Sequence, residues 1–513
     1  MYRDALINGP CIGQRNRYVT SSKGQATAGL FDSREMNCDD EMPVQKASYR
    51  DRSAYIHLPF CKKKCLYCDF PVIAVGQSLH GGLGKTGDRG RDAREEMMSA
   101  YVDAICEEIR IAAAYRDFFY QNIRDGASSK EQKLSQIWNT GRNDREPGGQ
   151  SSDGTMGRLE TVYIGGGTPS LVPAICIEKI LKCLDRYFGI ASDAEISIEA
   201  DPGTFDAESL KAYKNLGIQR VSVGVQAFND RLLELCGRSH TLYEVYKAIE
   251  DVYAANIGSW SLDLISGLPE LTVPGWETNL SRALDAGPPH ISIYDLQIES
   301  GTPFSRKYKA GIKPIPSDDD AATMYSMASQ VLASGGFEHY EISNYAKPSH
   351  RCTHNSVYWD GYGYHAFGMG AASYVNGRRF SRPKRFNGYM NWVSAHKASL
   401  LESTKTLVPA IFPDITANTL TDEDILTDYI MLQLRKSDGL RLSRIRECYM
   451  HGDMIAQTIL NSLDISIEQG TVSYDENTDT VNLIDPQGFL LSNDIISHVF
   501  AAIDTLQTEY QGR

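Results

Sequence analysis

No run of 18 or more apolar residues occurs in the 513-residue chain, so nothing in it reads as a membrane-spanning helix. Basic residues are the minority, 52 Lys and Arg against 65 Asp and Glu. The resulting net charge of −13 argues against a general grip on nucleic acid, although a stripe could still be locally basic. The eleven cysteines form no regular framework, which fits a reducing compartment better than a disulfide-stapled secreted fold. A fourth cysteine is missing where three gather: Cys61, Cys65 and Cys68 stand at Cys-x3-Cys-x2-Cys, and Asp69 and Phe70 follow. What remains is 42% hydrophobic and 23% charged, ordinary for a globular protein, and long enough for two or three domains.

The triplet follows a short apolar run, residues 54–58, that reads as a buried strand. Three thiolates on one tight loop can hold three irons of a 4Fe–4S cubane and leave the fourth iron open, whereas four would close it for electron transfer. An open iron is a place for a substrate or cofactor. A zinc knuckle and chance clustering are the alternatives. Zinc usually brings a second Cys/His pair at fixed spacing, and none stands beside the triplet.

In chain order, residues 1–50 are polar and without apolar period, and read as a mostly disordered tail. Its first 30 residues carry Arg3, Arg15, Arg17 and Lys23 against Asp4, a composition open both to organelle targeting and to an untargeted tail. Strand-like runs at 54–58, 160–164, 194–199, 219–224, 259–265 and 290–296 alternate with helical spacing at 97–118, 174–187, 206–216, 228–236, 242–255 and 275–286. Six such units predict an α/β fold with a parallel sheet over 51–300, an open (βα)6 partial barrel, with its ligand site at the C-terminal ends of the strands. Polar insertions at 76–96 and 121–157 read as surface loops or disorder. The first contains Gly84-Lys85-Thr86, but Leu79 occupies the place of the first P-loop glycine and no strand precedes it, so that reading is rejected. Residues 301–400 read as a substrate-side extension. Residues 401–513 predict a helix capped at Thr421, a helix at 453–467, a hairpin and a last helix from Asn493: a winged-helix-like α+β domain.

The polar motifs fall at the strand ends. Gly165-Gly166-Gly167-Thr168-Pro169 closes the second unit, where consecutive glycines would let backbone amides approach a charged ligand, unless the run is a plain turn. Glu199 ends the third strand and Gln226 the fourth, with Arg238 twelve residues on; Asp263 ends the fifth. Each alone could be an ordinary surface residue; four in register at successive strand ends argue against that. Later, Cys352-Thr-His354-Asn355-Ser-Val-Tyr358-Trp359 sets a histidine and a cysteine among aromatics. Both residue types ligate haem iron, so the segment could line a haem pocket; a packed loop with a hydrogen-bonded histidine is the alternative.

The cysteine loop resembles the signature of the radical S-adenosylmethionine (SAM) superfamily, in which SAM chelates the open iron. From about Ser53 onward the chain resembles the branch that unites HemN, the oxygen-independent coproporphyrinogen III oxidases, with the HemW haem chaperones. The resemblance implies that Cys61, Cys65 and Cys68 hold the cluster. It implies SAM contacts from Tyr55 and Tyr67, from Gly166, Gly167 and Thr168 at the amino end, and from Glu199, Gln226, Arg238 and Asp263, with Asp263 on the ribose and Arg238 on the carboxylate. The C-terminal domain is similar to that of the same group, and the acidic balance turns it toward docking rather than DNA.

Two departures distinguish the activities. The oxidases carry a further cysteine where this chain has Phe70, and the His354–Trp359 pattern resembles the HemW haem segment, so the resemblance implies His354 or Cys352 as haem ligand. The expectation is therefore a chaperone that binds haem as cargo and passes it to an apo-haemoprotein, of an electron-transfer chain, with room for a homodimer. The rival is an enzyme that cleaves SAM reductively and takes hydrogen from a porphyrinogen propionate; no catalytic residue is assigned. Motifs such as Asp201-Pro-Gly-Thr-Phe and His339-Tyr-Glu-Ile-Ser-Asn-Tyr-Ala resemble a cyanobacterial and plastid subgroup, which points to a plastid ahead of a bacterial cytoplasm or a mitochondrion.

Overall fold

The computed structural model describes residues 29–32, 51–76, 88–124, 157–375, 377–402 and 420–512. Six strands lie side by side in chain order, each parallel to the next: β1 (Ser53–Leu58), β2 (Leu159–Gly166), β3 (Ile190–Ala200), β4 (Arg220–Gln226), β5 (Ser259–Ser266) and β6 (His290–Asp295). Between them run α1 (Asp88–Arg124), α2 (Ala174–Tyr187), α3 (Ala207–Asn215), α4 (Asp230–Cys236), α5 (Leu242–Ala255) and α6 (Val273–Asp285). Every residue of β1 is buried, as the apolar run requires of a strand covered on both faces. Local chemistry ends the helices where the sequence says it should: Asp206, Asn229 and Thr272 each accept an amide of the first turn, and Gly237 closes α4 in the left-handed region. Ile56, Ile164 and Ile198 are fully buried between sheet and helices. Burial of one such side chain contributes roughly 1.5–3 kcal/mol.

The sheet is wider than six strands. After α7 (Asp318–Ser334) come β7 (Glu338–Glu341) and β8 (Asn344–Ala346). Next are α8 (Thr353–Trp359) and β9 (His365–Phe367), then the hairpin Ala372–Val375 with Arg378–Ser381, and α9 (Phe386–Glu402). β9 pairs in parallel outside β1, and β8 and β7 add antiparallel strands beyond β6, giving nine in the order β9-β1-β2-β3-β4-β5-β6-β8-β7. The 301–400 stretch is thus built into the barrel sheet. Its strands of three or four residues are too short to show a period, and their partners are remote in sequence.

The C-terminal unit holds α10 (Asp422–Gln433), β10 (Leu440–Arg441), α11 (Leu442–Cys448), α12 (Gly452–Glu468), β11 (Val472–Asp475), β12 (Thr480–Leu483) and α13 (Ser492–Gln511), with strand order β10-β12-β11. Thr421 caps α10 in a reciprocal box with Asp424. The sheet's third strand and α11 are additions to the expected three helices and hairpin.

Two loop expectations are corrected. Residues 88–96 and 121–124 are helical, because α1 extends well beyond its apolar stripe at both ends; residues 77–87 and 125–156 lie outside the described residues. The tail expectation fails at Leu30 and Phe31, which are buried in the C-terminal core, while the Asp32 carbonyl accepts the Met450 amide at 2.9 Å. The rest of residues 1–50 lies outside the described residues. Among the described residues no helix is long and apolar enough to cross a membrane.

Candidate cofactor site

A cavity opens at the C-terminal ends of β2 to β5 under the cysteine loop. It brings together Cys61, Cys65, Cys68 and Tyr67 from the loop, Gly166, Gly167 and Thr168 after β2, and Glu199, Gln226, Arg238 and Asp263. The loop is clamped at its base by a short parallel pairing of Phe60–Cys61 with Ile73–Ala74. Midway along it the Leu66 amide donates to the Cys236 carbonyl at 2.9 Å.

The glycine run serves closeness, by a route different from the expected one. A Cβ on Gly167 would sit 2.8 Å from Cys61 Sγ, and one on Gly165 2.9 Å from Glu199 Oε1. The amides, however, are engaged within the protein. Gly166 N donates to Glu199 Oε2 (2.9 Å), Gly167 N to the Leu58 carbonyl (2.8 Å) and Thr168 N to the Phe60 carbonyl (2.7 Å). The run therefore anchors Glu199 and the cysteine loop rather than presenting donors. That suits the ammonium end of a ligand, which needs acceptors.

The polar wall is a network. Arg238 Nη2 donates to Asp201 Oδ1 and, at 3.0 Å, to the Gly224 carbonyl, while Nη1 reaches Tyr67 Oη (3.3 Å) and Cys65 Sγ (3.5 Å). Asp201, beside the motif residue Glu199, was not singled out by sequence; its signal was the spacing Glu-x-Asp at a strand end. Gly224 is required here, since a Cβ would meet Asp201 Oδ1 and Gln226 Nε2, both at 2.9 Å. Gln226 ends β4 in the left-handed region (φ 67°), where the register with β5 also shifts. That conformation is uncommon for a non-glycine residue and turns the end of the strand. Asp263 accepts from Ser222 Oγ at 2.9 and 2.8 Å and from Ser261 Oγ at 3.3 Å; burial nevertheless pushes its carboxyl up to about 6.

The donor set suits a cluster. Burial pushes the Cys61 thiol up to about 12, opposed by a hydrogen bond from Thr168, so ionisation there needs a metal's charge. Arg238 supplies a cationic donor to Cys65. A single ion would need its ligands to converge on a point, and among the described residues no group of three His, Cys, Asp or Glu does so. A cubane asks for separate corners, one thiolate to each iron.

Three expected residues lie away from the cavity. Tyr55 is buried inside the barrel, stacked on Tyr163 (6.2 Å, 20°), with its hydroxyl 3.2 Å from His57 Nδ1. His354 is fully buried against β2, its Nδ1 2.7 Å from Thr161 Oγ1 and its Nε2 2.8 Å from Tyr358 Oη; burial lowers its pKa to about 3. Cys352 is buried with Sγ 3.6 Å from Glu195 Oε1, and burial pushes its thiol up. The histidine expected to face haem iron has both ring nitrogens occupied and packs the interior, and neither it nor Cys352 lines the cavity.

Residues 153–280 match the model of the radical SAM superfamily. The chain is 38% identical over 466 residues to the heme chaperone HemW of Synechocystis sp., covering 88% of this chain and 97% of that one. It is 27% identical over 421 residues to the heme chaperone HemW of Lactococcus lactis (81% and 91% covered) and 30% identical over 344 residues to that of Escherichia coli (66% and 75%). Among solved structures, coproporphyrinogen III oxidase (HemN) from Escherichia coli is similar in fold, with a TM-score of 0.62 at 19% identity over 89% of this chain and 92% of that one.

Proposed function

The chain belongs to the HemW family of the radical SAM superfamily, and from that premise we propose that it is a haem chaperone, binding haem and passing it to an apo-haemoprotein. The observation that carries this reading is the likeness to a heme chaperone over nearly the whole length of both chains. Phe70 agrees with it, since this residue lines the cavity at the position where the resemblance implies a further cysteine in the oxidases.

In this reading Cys61, Cys65 and Cys68 hold a 4Fe–4S cluster, and the cavity wall takes SAM. When bound, the cluster supplies one iron with a free coordination position for SAM. Glu199, already fixed by the Gly166 amide, accepts from the ligand's ammonium. Asp263, poised by Ser222 and Ser261, accepts from ribose hydroxyls. Arg238 stays charged in its buried place because Asp201 and the Cys65 thiol lie against it. Tyr67 and Gln226 close the sides. Haem is cargo, and this reading looks for its ligand elsewhere than His354, whose ring nitrogens are both hydrogen-bonded in the interior. A plastid location rests on the likeness to the cyanobacterial relative, and an acceptor in an electron-transfer chain rests on the sequence resemblance alone.

The test uses cluster-reconstituted protein in two anaerobic assays. With haem and an apo-haemoprotein, a Soret band should form on the protein and move to the acceptor. With coproporphyrinogen III, SAM and a reductant, no decarboxylated product should appear; its formation, without haem transfer, would reverse the assignment.

A further inference from the structure

Away from the cavity, three cysteines gather where α1 packs on α2: Cys106 on the first helix, Cys176 and Cys183 on the second, all partly exposed. Cys106 is bracketed by one turn of α2. Its Sγ lies 3.9 Å from the Lys179 carbonyl, and Cys183 Sγ donates to the Cys106 carbonyl at 3.4 Å. That contact lays the Cys183 side chain directly over the backbone that bears the other thiol.

The carboxylates around Cys106 are each paired with a cation. Asp103 and Glu107 flank it on its own helix, but Asp103 is ion-paired to Lys179, and Glu107 to Arg110 and, at 3.5 Å, to Lys397. The neighbouring Cys183 thiol and the Lys179 charge hold the Cys106 thiol below its ordinary range, while the same contact and burial push Cys183 up. Two thiols thus meet across adjacent helices, one more readily ionised than the other, an arrangement suited to thiol–disulfide exchange.

We propose that Cys106 and Cys183 form a thiol-exchange site for small disulfides of the glutathione disulfide class, ending in an intrachain bond that ties α1 to α2. The Cys106 thiolate attacks one sulfur of the disulfide, forming a mixed disulfide and releasing one thiolate. Cys183 then gives its proton to that released thiolate, making the first small thiol, and its own thiolate attacks Cys106 Sγ; the second small thiolate leaves and takes from water the proton that Cys106 lost on ionising. Two protein thiols are oxidised, one small disulfide is reduced to two thiols, and no other oxidant is used.

The site can be read without reference to haem or SAM. Trypsin places the three cysteines on separate peptides, residues 95–110, 159–179 and 183–186. Full-length, cluster-loaded protein is incubated anaerobically with glutathione disulfide, alkylated and mapped without reduction. The expected result is peptide 95–110 joined to 183–186. Cys183→Ser should lose that cross-link and accumulate glutathione on Cys106, and Cys106→Ser should lose both products. Free thiols at both positions after treatment, or a bond from Cys106 to Cys176 instead, would overturn the proposal; because unmodified protein already decides this, a variant that fails to fold does not leave it open.

Discussion

Asp263 answers two demands that oppose each other. Three serine hydroxyls, Ser222, Ser292 and Ser261, favour its charged form, yet burial outweighs them and raises its pKa from 3.8 to about 6. A pKa raised on folding means that the protonated fold is favoured, so stability falls as pH rises from 3.8 through about 6 and stays lower above it. At pH 7 the ionised carboxylate therefore costs the SAM-free fold roughly 3 kcal/mol, at 1.36 kcal/mol per unit. Asp263→Asn should raise the calorimetric unfolding midpoint at pH 7, with the gain fading as pH approaches 4. The same variant should weaken SAM binding about tenfold or more, since a hydrogen bond to a charged group contributes roughly 1.5–3 kcal/mol. Titration calorimetry beside the thermal scans separates the two effects. A variant that neither stabilises nor weakens binding would remove Asp263 from the site.

The element whose role changes most between sequence and structure is α8. Its seven residues are held from β3 and β4: Glu195 accepts the His354 amide at 3.1 Å and the Thr353 hydroxyl at 3.3 Å, a carboxylate at a helix N-terminus. Arg220 pairs with Glu195 at 3.2 Å and donates to the carbonyls of His350 and Arg351 at 2.9 and 3.1 Å. His354 completes the anchorage, its ring stacked on Tyr163 at 5.2 Å. His354→Ala should therefore destabilise the protein by about 2–4 kcal/mol, leaving the Thr161 and Tyr358 hydroxyls unpaired. It should leave the Soret band of bound haem unchanged when measured under conditions where the variant is folded. Loss of that band at unaltered stability would restore the ligand role. A histidine among aromatics reads the same in sequence whether it faces a ligand or a core, because the hydroxyls that satisfy it lie at Thr161, 193 residues away, and at Tyr358.

Across the whole molecule, α8 is also the seam between barrel and C-terminal unit. Lys436 pairs with Asp360 just beyond the helix, Gln433 Nε2 donates to the Trp359 carbonyl at 2.7 Å, and Arg351 reaches Asp438 at 3.1 Å. The C-terminal core is closed from the other end of the chain by Leu30 and Phe31. Phe31→Ala should thus destabilise that unit, by about 3–5 kcal/mol for a buried aromatic. Limited proteolysis should then cut within α10 to α13 sooner than in the unmodified protein, while cluster content stays constant. Equal cleavage rates would show that the docked segment contributes nothing to the unit's stability.

The amino-acid sequence by itself determined the six strand-and-helix units, the helix capped at Thr421 and the cysteine triplet with its missing fourth member. Each of these is written in local period, capping chemistry or spacing, which act over a few neighbouring residues. It also placed Glu199, Gln226 and Asp263 on one rim, because parallel strands joined by crossovers bring their C-terminal ends together; Arg238, which follows α4, is drawn to that rim by Asp201. Only the tertiary structure decided that the glycine amides are spent inside the protein, that Asp201 holds Arg238, and that Tyr55, Cys352 and His354 lie behind the cavity. Those outcomes depend on which side chains meet across dozens to hundreds of residues, where hydrogen-bond partners and burial are set by packing and leave no periodic trace in the chain.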